Sequence, residues 1–127
     1  MSSWQEYVDE QLVGTGHVRS GAIIGVTDGG TWAASRDVIK ANEGPVIVQL
    51  FKNPGEAFAR GITVGGVKYM AIKADDSSIY GKKGATGVAL AKTGKTIVIG
   101  YYDEKQQSGN AAREVEKLAE HLRDNSY

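Results

Sequence analysis

The chain contains no cysteine, and only two prolines, two histidines, two tryptophans and two phenylalanines among 127 residues. Without thiols there is neither a disulfide framework nor a cysteine nucleophile. Scarce proline and the lack of low-complexity runs leave no sign of a disordered linker. Charge of one sign is also lacking: 15 basic residues balance 15 acidic ones. A neutral chain offers no basic field for nucleic acid. The longest nearly apolar run, PVIVQLF at 45–51, is far too short to span a bilayer. The first residues show neither the basic nor the apolar region of a secretion signal, so the expected location is the cytosol.

Catalytic sets are missing too. His17 and His121 are far apart in the sequence, and no His, Asp or Glu grouping has metal-ligand spacing. No nucleophile–base pair stands out. We therefore expect no metal, no cofactor and no enzyme activity. Asp75-Asp76 reads as a hairpin end, because adjacent strand residues point to opposite faces. KTGKT at 92–96 ends like a phosphate-binding loop, but Ala89 stands where that loop needs glycine, and strand-like runs lie on both sides. Gly14-Thr15-Gly16 follows a helix rather than a strand, and Arg19 occupies the third glycine's place.

What is present is a mixture of helix and strand signals in one domain, residues 1–127. Ser3 and Glu6 form a capping box, and Trp4, Val8 and Leu12 recur every four residues up to a stop at Gly14. Asn42 is placed to cap a short helix through PVIVQLFK, which Asn53-Pro54-Gly55 ends. Strand-like runs meet at Asp28-Gly29-Gly30, at Gly65-Gly66 and at Gly94-Lys95, giving three hairpins. From an expected cap at Asn110, Ala111, Val115, Leu118, Ala119 and Leu122 form an apolar stripe at helical spacing. The expected fold is α+β: a central antiparallel sheet with the N- and C-terminal helices on one face.

The scarce aromatics gather around the two terminal helices. Trp4 and Tyr7 share one side of the first helix. His121 flanks Leu118 and Leu122 in the last helix, Tyr127 follows it, and Trp32 opens a strand where alternation with Ala34 and Arg36 turns it toward the helices. Buried core is the ordinary role of such residues. Side by side, they suit a groove for a proline-rich segment: flat rings receive pyrrolidine faces, and N–H and O–H groups donate to the ligand's carbonyls.

Over nearly its whole length the sequence resembles the profilin family. The resemblance is carried by SWQEYVDEQLVGTG, AIIGVTDGGTWAAS, GITVGGVKYMAIKADDSSIYGKKGATGVALAKT and GNAAREVEKLAEHL, with DDSSIYGKKG most similar to amoeboid, plant and fungal members. It implies a central antiparallel sheet with terminal helices on one face and short helices on the other. It also implies a cytoplasmic monomer at the cytoskeleton and cell cortex that binds monomeric actin, proline-rich proteins of the formin type, and phosphoinositide lipids. The proline-rich ligand would lie on Trp4, Tyr7, Trp32, His121, Leu122 and Tyr127, with Trp4 and Tyr7 as a wall and Trp32 as floor. On the opposite side, actin would meet Phe58, Lys68, Lys73, Lys82, Lys83, Lys92, Thr93, Gly109, Arg113 and Lys117. Lys82, Lys83, Arg113 and Lys117 would hold lipid phosphates. A histidine found near Gly109 in animal members is Gln107 here. Two other classes compete with this reading: a small-molecule sensor with a cavity on its sheet, and an enzyme whose chemistry is not visible in the sequence.

Overall fold

The structure, a computed structural model, describes residues 3–127. Helix α1, Trp4–Gln11, starts with the expected capping box: the Glu6 amide donates to the Ser3 hydroxyl at 3.1 Å, and the Ser3 amide donates to the Glu6 carboxylate. Such a cap stabilises a helix start by about 1 kcal/mol. The helix ends at Leu12 rather than at Gly14. A short 3-10 turn, Val13–Thr15, follows, and the left-handed residue is Gly16.

Seven strands form one antiparallel sheet: β1 (Ser20–Gly25), β2 (Thr31–Ala34), β3 (Ile62–Val64), β4 (Val67–Ala74), β5 (Ser78–Lys83), β6 (Thr86–Lys92) and β7 (Thr96–Tyr102). Their order across the sheet is β2-β1-β7-β6-β5-β4-β3. All three glycine-marked hairpins are present. A fourth joins β4 to β5 at Asp75, whose carboxylate accepts from the Ser77 and Ser78 amides at 2.8 and 2.7 Å. KTGKT lies on the β6–β7 hairpin, where strand meets strand.

Helix α1 and helix α4 (Ser108–Asp124) cover one face. Val8, Leu12, Ala111, Val115, Leu118, Ala119 and Leu122 pack there against Ile23, Ala89, Ala91 and Val98. On the other face lie α2 (Glu43–Lys52) and α3 (Gly55–Arg60), where Ile47, Leu50, Phe51 and Ala57 meet Ile24, Ile79, Leu90, Ile97 and Ile99. The expected α+β architecture is therefore observed. Helix α4 begins two residues before the expected cap: Gln107 is the N-cap, its side chain accepting from the Asn110 amide. Asn42 does hold the N-cap position of α2, but its side chain makes no capping bond.

Coverage decides how each strand reads. β1, β6 and β7 are buried on both faces and are almost continuously apolar. β4 alternates, with Tyr69 and Ala71 buried while Lys68, Met70 and Ile72 are exposed. The reason is width. A helix with its side chains is about 10–12 Å across and strands are about 4.8 Å apart, so two helices shield about four strands. Here those are β2, β1, β7 and β6. The face that β4 and β5 share with α4 stays largely open.

Two tight junctions join the layers. The buried Glu43 carboxylate accepts three backbone amides, from Lys40 (2.8 Å), Gly65 (2.7 Å) and Gly66 (2.7 Å), and so ties α2 to the β3–β4 turn. Gly65 and Gly66 both have positive φ, 62° and 81°, which aims successive amides at one anion. Gly29 and Gly44 cross backbone to backbone, and a Cβ on Gly44 would collide with the Gly29 carbonyl.

Candidate functional site

Trp4 is the centre of the aromatic group. Its ring contacts Trp32 (centroids 4.8 Å apart), Tyr127 (5.0 Å) and Tyr7 (5.6 Å), edge-on or tilted in each case. Such arrangements place positive ring edges against negative faces. Tyr7 also contacts the His121 ring at 5.6 Å, and its hydroxyl lies 3.4 Å from His121 Nε2. Trp4 and Tyr7 are half-buried, while Trp32 and Tyr127 are 41% and 37% exposed. Trp4 is thus the floor and Trp32 a flank, the reverse of the sequence expectation.

Each member is held by its element. Gln5 pairs with the backbone of edge strand β2, donating to the Ala34 carbonyl at 3.1 Å and accepting from its amide, so α1 is fixed beside Trp32. Trp32 does not get its direction from simple alternation. Ile23 pairs with Ala33 and Ile24 with Thr31, which leaves Trp32 as the extra residue of a bulge. Bulges re-aim side chains, and this one lays the indole over Gly25, where a Cβ would strike Trp32 Nε1. Tyr127 is tied down: its carbonyl accepts from the Thr93 hydroxyl (3.0 Å) and from the Lys95 amide, and its own amide donates to Leu122.

Two of the expected site residues are corrected. Leu122 is fully buried beneath the aromatic group, so it supports the surface without touching a ligand. Thr93 is 3% exposed, and its hydroxyl is engaged with Thr96 and Tyr127. It belongs to the anchoring of Tyr127, not to the lysine-rich surface. Lys92 is at the same end, half-buried, with its carbonyl accepting from Arg123.

The remaining residues of the expected actin surface divide into groups. Phe58, 59% exposed, lines a cavity of about 290 Å3 with Lys68 and Met70. Lys82 is directly opposite Met70 in the β4–β5 register. Gly109 borders a second cavity of about 130 Å3 with Ile72 and Tyr80. One strip therefore runs from α3 across β4 and β5 to the start of α4. Lys73 lies over the Tyr80 ring at 5.3 Å and pairs with Asp75 at 3.9 Å. Lys83 follows Lys82 along β5 and so projects to the other face, which separates them as a lipid-binding pair. Arg113 and Lys117 are one turn apart on exposed positions of α4.

Sequence reasoning missed Met70 and Ile72, 70% and 54% exposed. The available signal was VKYMAIKA, a strand apolar on both faces in a part of the sheet that too few helices can cover. It also missed Glu116, which accepts from the hydroxyls of Ser78 (2.6 Å) and Tyr80 and pins α4 to β5. Burial, reinforced by the hydrogen bond to Glu116, pushes the Tyr80 phenol well above its ordinary range. The part of the strip on β4 and β5 shares a sheet face with the aromatic group, with α4 between them, and only Phe58 comes from the opposite face; the sequence suggested opposite faces throughout.

The aromatic patch and the apolar, lysine-edged strip are two exposed surfaces flanking α4, and no group that could hold a metal ion is found among the described residues. The profilin family model matches residues 2–127. Profilin-P of Physarum polycephalum is 61% identical over 125 residues, 98% of this chain and 99% of that protein. The crystal structure of profilin II from Acanthamoeba castellanii superposes with a TM-score of 0.94 at 47% identity, covering 98% of this chain and 100% of that one. Mouse profilin IIa, solved in complex with a double repeat from the FH1 domain of mDia1, has the same fold at 24% identity (TM-score 0.80, 99% and 100% covered). The chain belongs to the profilin family, the actin-binding regulators of the cytoskeleton.

Proposed function

We propose that this protein couples monomeric actin to proline-rich partners, with the aromatic patch as the proline-binding surface and the strip across β4 and β5 as the actin surface. The observation that carries the first half is Trp4 in ring contact with Trp32, Tyr7 and Tyr127 while the outer rings face solvent. Polyproline II is preformed and loses little entropy on docking. Trp4, Tyr7, Trp32, His121 and Tyr127 supply rings and donors for it. Mouse profilin IIa, alike in fold, was solved in complex with a double repeat from the FH1 domain of mDia1.

For actin, Phe58, Met70 and Ile72 supply apolar area, and Lys68, Lys73, Lys82, Gly109, Arg113 and Lys117 surround it. Buried apolar anchors dominate interface energy, and rim charges set encounter rate and orientation. Arg113 and Lys117 are the residues for anionic lipid headgroups such as phosphoinositides, an interaction local to α4 and weakened by salt. The protein would act as a cytoplasmic monomer at the cell cortex.

The test is a double dissociation. Trp4→Ala should weaken binding of a proline-rich peptide by about thirtyfold, the scale of a hot-spot aromatic, and leave actin affinity within twofold. Met70→Lys should do the reverse. Calorimetry on both ligands with both variants reads this directly. Loss of both activities in either folded variant rejects the two-surface reading.

A further inference from the structure

Beside Trp32 lies a cleft of about 420 Å3 that the reading above does not use. It opens between two neighbouring turns, residues 25–28 at the end of β1 and Gly94-Lys95 between β6 and β7. The turns are joined: the Val26 amide donates to the Lys95 carbonyl at 3.0 Å. On its other side the Lys95 amide donates to Tyr127. The Lys95 backbone is thus fixed twice, and its ammonium lies 5.8 Å from the centroid of the Tyr127 ring. That ring packs on Trp4. The cation stands at the rim of the aromatic patch, and no carboxylate lies within ion-pair distance of it among the described residues. The cleft's other charge, Asp28, is engaged in its hairpin, with Oδ1 accepting from the Gly30 amide at 2.9 Å.

We infer that Lys95 and this cleft form a flank-selecting subsite, which favours proline-rich segments carrying an acidic residue just outside the proline run. The inference rests on the proline-binding reading of the aromatic patch. Polyproline II advances about 3.1 Å per residue. The ring spacings of 4.8 and 5.0 Å from Trp4 to its two exposed neighbours therefore occupy only a few ligand residues. The next residue of a ligand that continues past Trp32 or Tyr127 meets the cleft. An acidic side chain there finds an ammonium with no ion-pair partner among the described residues, and because the backbone is already anchored only the two side chains remain to be ordered. A basic side chain meets the same ammonium as a like charge, and Asp28 has already committed one oxygen.

The experiment uses peptides with one common proline run, flanked by Asp-Asp, Ser-Ser or Lys-Lys, placed before the run in one set and after it in another. Calorimetry at low salt should rank Asp above Ser above Lys at one end of the run, with steps of about two- to fivefold, as exposed ion pairs give. Lys95→Gln should abolish the ranking, and Lys95→Glu should reverse it. Asp28→Asn, which keeps the turn's acceptor, should widen it. High salt should compress the ranking and leave Ser-flanked affinity nearly constant. Equal affinities for all flanks at both ends, or an acidic preference that survives Lys95→Glu, overturns the subsite alone. Failure of the Ser-flanked peptides to bind overturns the proline-binding reading and the subsite with it.

Discussion

Trp4 shows how a single residue serves two ends. Its position in the Trp4, Val8, Leu12 series marks it as core, and its contacts with exposed Trp32 and Tyr127 make it surface. Sequence spacing reached Trp4, Tyr7, His121 and Tyr127 because helical periodicity limits where residues on or directly after α1 and α4 can be. It placed Trp32 correctly beside the helices but by alternation, where a bulge supplies the direction, and it went wrong at Thr93, whose hydroxyl is bonded to a residue 34 positions away. No local pattern encodes either. Leu122 separates support from contact. Leu122→Ala should destabilise the protein by about 3 kcal/mol, the cost of a buried leucine cavity. At a temperature where the variant is still folded, peptide affinity should stay within about threefold of the parent. Denaturant titration and calorimetry check the pair, and a thirtyfold loss from the folded variant would return Leu122 to the contact surface.

At the scale of elements, the helices and hairpins were legible because caps, glycine turns and apolar stripes are local signals. The capping box at Ser3 and the stripe from Ala111 to Leu122 were found as read. The connections between layers were not, since Glu43 looks like any acidic residue near a helix start. Its three amide partners come from the loop before α2 and from the β3–β4 turn. Glu43→Ala leaves those buried amides without their acceptor, at a cost of about 3 kcal/mol. The expected sign is a lower denaturant midpoint and faster hydrogen exchange at Gly65 and Gly66, with the aromatic patch unchanged. Unaltered stability would mean water replaces the carboxylate at no cost.

For the whole molecule, the α+β class and the layering followed from counting elements, but the arrangement of surfaces did not. Two helices cannot cover seven strands, so the apolar residues of β4 share a sheet face with the aromatic patch, and α4 is the divide. The interior also has a signature in base. Burial raises the phenols of Tyr69, Tyr80 and Tyr102, with Tyr69 pushed up to about 12 from 10.0. A group whose pKa is raised by folding contributes stability in full below its unfolded value and loses it as pH rises through the folded value. Stability should therefore hold to about pH 10 and fall toward pH 12. Phenolate absorbance should show three of the six tyrosines ionising late, together with loss of structure. Full ionisation near pH 10 in a folded protein would contradict the packing around Tyr69.

The aromatic patch joins Tyr7 to His121, 114 positions apart, and rests Trp4 against Tyr127. Neither contact exists until synthesis has passed the last helix and that helix has docked beside the first. A polypeptide still emerging from the ribosome cannot display this surface, whatever portion of its sheet has formed. Recognition by a proline-rich partner is then a form of quality control: only molecules whose last helix has been made and docked against the first are recruited.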